Sequence, residues 1–130
     1  MSCLEVVCGI IQNSKQQILV ALRQKNKDQG GLWELPGGKR HDGEAENAAL
    51  SRELKEELNI TVEHAQYWMT ARYQYPNYKV HLHAWHVHCY QGEAEGHEGQ
   101  ILRWVPVNQL LMLDWPAANY PIIRALMQLS

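Results

Sequence analysis

The stretch that most restricts the fold is Gly38 to Ile60, GKRHDGEAENAALSRELKEELNI. Leu50, Leu54 and Leu58 recur every four residues among good helix formers such as Ala45, Ala48 and Ala49, which predicts a helix with one buried apolar stripe. Glu53, Glu56 and Glu57 fall at i, i+3 and i+4 of that helix, so three carboxylates point to one side. Like charges this close repel. Cationic partners, with Arg52 and Lys55 adjacent, or a divalent cation accepting hard oxygen ligands would relieve the repulsion. One face of the helix therefore packs while another faces a site.

Both ends of the helix carry signals. Asn59 stands where the periodicity stops, and Asn tolerates the left-handed conformation that ends a helix. Upstream, Pro36-Gly37-Gly38 predicts a tight loop whose backbone approaches a ligand without side-chain obstruction. A carbonyl of that loop is available to complete a cation site, which favours the metal over simple ion pairing.

Composition limits the alternatives. The 130 residues suit a single domain over 1–130 with enough chain for a proper core. A hydrophobic content of 45% with 20% charged residues is that of a globular protein, and a net charge of -2 offers no electrostatic footprint for duplex nucleic acid. Free nucleotides stay open, because a metal site attracts phosphates despite a slightly acidic surface. Cys3, Cys8 and Cys89 are odd in number and lack metal-type spacing, and no charged segment followed by an apolar one opens the chain. A reducing cytoplasm is the expected home. No apolar run approaches the roughly 20 residues that span a bilayer, so no membrane insertion is expected.

Leu4 to Gln12 is nearly continuously apolar and reads as a buried strand; Asn13-Ser14-Lys15 then turns the chain into a second strand, Gln17 to Arg23, expected to run antiparallel to the first. Arg23 is either an exposed strand end or a residue reaching a bound nucleotide. Lys25 to Gly31 is a polar, glycine-rich loop, and Leu32-Trp33-Glu34-Leu35 a short extended piece. Glu34 is structural or accepts a hydrogen bond from a base or sugar.

Thr61 to Tyr75 and Lys79 to Tyr90 are long strands joined by Pro76-Asn77-Tyr78. The second, KVHLHAWHVHCY, places His81 and His83 on one face and His86 and His88 on the other, so a regular strand does not converge all four on one ion. Gln91 to Gly99 is a solvated connection in which Glu93 and Glu95 read as surface charges. Ile101 to Val105 is a last strand, Pro106 to Leu111 a short helical turn, and the chain closes in a helix ending near Leu129. Asn119, in the proline-rich segment before it, reads as a helix cap on local grounds.

The pattern Gly38, five residues, Glu44, seven residues, Arg52-Glu53-Leu54-Lys55-Glu56-Glu57-Leu58-Asn59-Ile60 resembles the Nudix box, with Asn59 where the family usually has glycine. The resemblance extends over essentially the whole chain and is to MutT-type members. It implies an α/β fold of the Nudix kind, an α/β/α sandwich with a mixed β-sheet. It also implies that Gly37, through its carbonyl, with Glu53, Glu56, Glu57 and Glu98, holds Mg²⁺, or Mn²⁺ in its place. Either Glu53 or Glu98 would be the general base, Arg52 would orient Glu53, and Glu44 would fix the loop.

The same resemblance implies a nucleoside triphosphate substrate hydrolysed at a phosphoanhydride to a monophosphate and pyrophosphate; a monomer is expected rather than an oligomer. Asn119 corresponds to an asparagine that reads the base, and Arg23, Glu34 and Trp33 or Tyr78 would line the base pocket. Oxidation of guanine at C8 turns N7 from acceptor to donor, so the edge matches the acceptor and donor of a carboxamide, which favours 8-oxo-dGTP. Two segments, Asp28 to Glu34 and His81 to Val87, are more similar to bacterial CTP pyrophosphohydrolases, leaving CTP, dCTP and 5-methyl-dCTP as the alternative. A non-catalytic nucleotide-binding or partner-binding module is a further alternative, and retention of Glu53, Glu56 and Glu57 weighs against it.

Overall fold

The apolar run that opens the chain becomes β1 (Ser2–Ile11), and its second half is buried on both faces, as its lack of alternation requires. The computed structural model describes residues 2–24 and 30–129, so most of the loop expected over Lys25 to Gly31 lies outside the described residues. Strand β1 is central in a four-stranded sheet. Its neighbours are β4 (Gly37–Lys39), antiparallel, and β6 (Tyr78–Gln91), parallel; β5 (Thr61–Gln74) closes the sheet antiparallel to β6, giving the order β4-β1-β6-β5. A second, antiparallel sheet has the order β3-β2-β7, from Trp33–Glu34, Gln17–Leu22 and Leu102–Pro106.

The first two strands meet antiparallel, as expected, but not as neighbours in one sheet. A single bridge, Gln12 to Ile18, joins β1 and β2, which otherwise lie in different sheets. The reason is that β4 and β6 already occupy both hydrogen-bonding edges of β1. The loop expected at Pro36-Gly37-Gly38 is corrected. Gly37 and Gly38 are extended strand residues opposite Cys8 and Val7, and neither has a positive φ. They are glycines for want of space: a Cβ on Gly37 would overlap the Val7 carbonyl oxygen, and one on Gly38 the Glu53 carboxylate.

Helix α1 (Glu46–Leu58) lies on one face of the four-stranded sheet. Leu50, Leu54 and Leu58 are fully buried with Val7, Ile11 and Ile60. Each such burial is worth about 1.5–3 kcal/mol. Asn59 ends the helix at φ 57°, donating its N–H to the Lys55 carbonyl at 3.0 Å. On the opposite face, 3-10 turns over Val107–Met112 and Ala117–Asn119 lead into α2 (Tyr120–Leu129). There Ile122, Ile123 and Leu126 pack into a second core with Ile10, Val20 and Leu82. Helix, mixed sheet and helix make the expected sandwich, in the expected element order. Among the described residues no helix is long and apolar enough to cross a membrane.

The strand histidines divide as alternation requires. His81 and His83 both meet Glu5, at 2.8 and 2.7 Å, whereas His86 packs at a tilt against Trp68 and His88 stacks on His64.

Candidate active site

Docking the leucine stripe of α1 on the sheet turns its acidic edge toward β4. There the Gly37 N–H donates to Glu57 Oε2 at 3.1 Å. The Pro36 carbonyl accepts from Gly9 N–H and the Arg40 N–H donates to the Glu5 carbonyl, both at 2.8 Å, on the β1 side. In an antiparallel strand the N–H and C=O of one residue share an edge, so the Gly37 carbonyl faces the same side as its N–H.

Arg52 organises the neighbouring carboxylates. Its Nε and Nη2 donate to the two oxygens of Glu44, each at 2.9 Å, Nη1 donates to Glu53 Oε1 at 2.9 Å, and Nη2 also reaches the Lys39 carbonyl at 3.0 Å. Glu44 in turn accepts from the His41 N–H at 3.0 Å, tying the start of the loop to its end. Hydrogen bonding to Arg52, with the His41 N–H, holds the Glu44 carboxyl at about 2. Glu57 goes the other way. Burial, reinforced by Glu34 and Glu53 nearby, pushes its carboxyl up to about 8, against the hydrogen bonds from Gln100 and the Gly37 N–H.

The loop after β6 closes the site because it caps α1. His97 N–H donates to the Glu57 carbonyl at 3.0 Å and Glu95 N–H to that of Leu58 at 3.1 Å, satisfying carbonyls left over at the helix end. Gln100 Oε1 accepts from the Glu98 N–H at 3.0 Å. Glu98 thereby joins Glu53, Glu56 and Glu57 around a cavity of about 570 Å³, with Arg23 and Lys39 on its wall. Glu95 stays exposed and receives the Asn59 carboxamide at 3.3 Å; Glu93 is exposed too.

A second, more apolar cavity of about 160 Å³ adjoins the first, sharing Arg23, Glu34 and the Gly37 to Lys39 strand. Leu4, Val6, Tyr75, Tyr78 and Asn119 line it. Arg23 pairs with Glu34 at 3.2 Å, so the strand-end arginine belongs to the junction of the two cavities. Asn119 is only 7% exposed, yet its carboxamide makes no hydrogen bond to the described residues, so it does not cap α2 through its side chain. Trp33 lines neither cavity; its ring lies under the Arg103 guanidinium, 5.3 Å away.

Several lining residues were not singled out in the sequence. Lys39 lines both cavities, and its only local signal is its place next to the glycine pair. Gln24 and Gln100 hold Glu98 from separate loops, contacts that no local pattern reveals. Leu4 and Val6 are hidden in a continuous apolar run whose two faces look alike.

The NUDIX domain family matches residues 7–125 of the chain. The chain is 38% identical to the CTP pyrophosphohydrolase of Escherichia coli K12 over 129 residues, covering 99% of this chain and 95% of the relative. It is 35% identical to the 8-oxo-dGTP diphosphatase of the same organism, covering 99% and 100%. Among solved structures, one from a study of MutT from Aliivibrio salmonicida and Vibrio cholerae superimposes with a TM-score of 0.85 at 32% identity, covering 99% of this chain and 100% of that one. The solution structure of the E. coli ORF135 protein gives 0.86 at 38% identity, covering 99% and 91%. The fold that sets the acid-edged helix beside the strand of glycines is matched by these structures along nearly the whole chain, and the chain belongs to the Nudix hydrolase family.

Proposed function

We propose that this protein is a divalent-cation-dependent nucleoside triphosphate pyrophosphohydrolase whose preferred substrate is 8-oxo-dGTP. The observation that carries the substrate reading is Asn119, a buried carboxamide facing the apolar cavity with neither its acceptor nor its donor engaged by the described residues. A carboxamide in that setting matches the O6/N7 edge of oxidised guanine, an acceptor beside a donor, whereas the same edge of ordinary guanine carries two acceptors.

The donor set fits a hard cation. Glu53, Glu56, Glu57 and Glu98 share one cavity, and the raised pKa of Glu57 reflects a carboxylate that needs positive charge to ionise where it is buried. These four and the Gly37 carbonyl would hold Mg²⁺, with Mn²⁺ the alternative. The bound ion would neutralise charge on phosphate oxygens and lower the pKa of water. The chain's own part is positional. Arg52, clamped by Glu44, fixes the Glu53 carboxylate, and Glu53 and Glu98 are the two candidates to accept the proton of the attacking water. Water adds at the β-phosphorus, the bridging bond to the nucleoside monophosphate breaks, and pyrophosphate is released with the monophosphate. Arg23 and Glu34, from the wall the two cavities share, and Tyr78, from the apolar cavity, would border the nucleoside, and Trp33 would act only through packing. The protein works in this reading as a cytoplasmic monomer on free nucleotides, clearing the oxidised one before DNA synthesis.

A second reading is supported by the 38% identity to a CTP pyrophosphohydrolase. Pyrophosphate release with Mg²⁺ from 8-oxo-dGTP, dGTP, CTP, dCTP and 5-methyl-dCTP, compared as kcat/KM, separates the two. The proposal expects 8-oxo-dGTP to lead, and Asn119→Asp to cut its advantage over dGTP by about tenfold or more, since one bidentate base contact discriminates by about 1–3 kcal/mol. Leadership of the cytosine set, unaltered by Asn119→Asp, would assign the pocket to cytosine nucleotides. Glu53→Gln should abolish turnover while nucleotide binding persists; unchanged turnover in that variant would refute the catalytic assignment.

A further inference from the structure

A second cluster of metal-type donors occupies the same face of the four-stranded sheet as α1, at the N-terminal end of that helix. Strands β1 and β6 run parallel there, with Glu5 directly opposite His81. Alternation puts Cys3, Glu5, His81 and His83 on one face. One donor atom each from Cys3, Glu5 and His81 lies within 4.8 Å of the others. His81 Nδ1 is 2.8 Å, and Cys3 Sγ 3.5 Å, from the same oxygen, Glu5 Oε2.

The other Glu5 oxygen is anchored. His83 Nε2 meets Glu5 Oε1 at 2.7 Å, and His83 Nδ1 is held by the Thr70 hydroxyl at 2.7 Å, with Glu46 Oε2 at 3.6 Å. A ligand carboxylate fixed by an imidazole, itself fixed on its far nitrogen, is the arrangement by which outer hydrogen bonds orient metal ligands. Cys3 is exposed and a groove of about 190 Å³ opens beside it, bordered by Arg40, His41 and Asp42, so an ion can enter from solvent.

We propose that Cys3 Sγ, Glu5 Oε2 and His81 Nδ1 bind one zinc-class divalent ion, with His83 positioning Glu5. Bonds of about 2.0–2.3 Å are reached when the ion replaces the proton between Glu5 Oε2 and His81 Nδ1, now 2.8 Å apart, and those two side chains part slightly. The thiol gives its proton to solvent as the ion binds. Sulfur and imidazole select zinc or cobalt over magnesium, which separates this site from the all-oxygen cleft of Glu53, Glu56, Glu57 and Glu98. The Arg40 N–H, bonded to the Glu5 carbonyl, ties the site to the loop leading from β4 into α1.

The test is a titration of the chelator-treated full chain with Co²⁺ in an excess of Mg²⁺, which fills the oxygen cleft. A sulfur-to-cobalt charge-transfer band should saturate at one equivalent and be displaced by Zn²⁺. It should be absent in Cys3→Ser and unchanged in Cys89→Ser, the other exposed cysteine. His81→Gln and His83→Gln should each weaken cobalt binding by about 10–100-fold. Absence of the band, its survival in Cys3→Ser, its loss in Cys89→Ser, or unaltered affinity in His81→Gln would overturn the site and leave Glu5 as an ion-pair partner of two histidines. Unaltered affinity in His83→Gln alone would overturn the positioning role of that residue.

Discussion

The Gly37 N–H lies 3.1 Å from Glu57 Oε2, so a strand glycine and the most deeply buried acid of α1 meet directly. This N–H and the hydrogen bond from Gln100 do not compensate the burial of the carboxylate, and a cation in the site would supply the missing positive charge.

A pH dependence of stability follows. The Glu57 carboxyl, raised by burial from 4.5 to about 8, makes the native state of the metal-free protein bind more protons than the unfolded chain between those values. Its favourable contribution is therefore fully present below about pH 4.5 and is lost as pH rises through about 8. Each tenfold difference in proton affinity between the two states is worth about 1.4 kcal/mol, so the loss amounts to a few kcal/mol. Urea unfolding of chelator-treated protein across this range should show the decline, Glu57→Gln should flatten it, and Mg²⁺ at the alkaline end should restore stability. An equal slope in wild type and Glu57→Gln would assign the decline to other groups.

Gly38→Ala should separate folding from catalysis. Its Cβ would overlap the Glu53 carboxylate, the side chain that Arg52 holds at 2.9 Å. Displacing a positioned group by about 1 Å costs on the order of 100-fold in rate. Steady-state kinetics should show that loss in kcat while circular dichroism stays that of the parent. Near-normal kcat would mean that Glu53 has room to move without consequence.

Replacing Arg52 by Lys keeps the charge and removes the fork. Two parallel bonds to Glu44, one to Glu53 and one to the Lys39 carbonyl depend on a planar guanidinium, and a single ammonium reproduces no such set. The expected result is a kcat lower by about 10–100-fold with KM little changed. A rise in KM alone would place Arg52 in substrate binding instead.

Leu54→Ala tests the docking of α1. Leu54 is fully buried, and its Cδ1 would lie 3.2 Å from a Cβ built on Gly9, so the helix sits close on β1. Truncation should lower unfolding free energy by about 2–5 kcal/mol in urea titrations. A change under about 1 kcal/mol would indicate that the helix reseats on the sheet.

Much of this molecule is written locally. The four-residue spacing of Leu50, Leu54 and Leu58 specified the buried stripe of α1, and with it the side on which Glu53, Glu56 and Glu57 emerge, because helical geometry links the two faces of one segment. Asn59 marked the helix end through its own backbone preference. Alternation along β6 separated His81 and His83 from His86 and His88.

Tertiary structure decided what depends on partners distant in sequence. β1 pairs with β6 in parallel rather than with the nearby β2, since strand pairing is chosen among all available edges and not by proximity along the chain. That choice brings Glu5 to His81 and His83. Gly37 and Gly38, read as a turn, are strand residues, because their need for glycine comes from Val7 and Glu53 pressing on them and not from their own torsions. The charge state of Glu57, too, is set by burial and by Glu34 across the cavity. The sequence by itself determined which groups are present and which face each element turns. Only folding determined which of those faces meet, because the free energy of a contact is realised when both of its partners arrive.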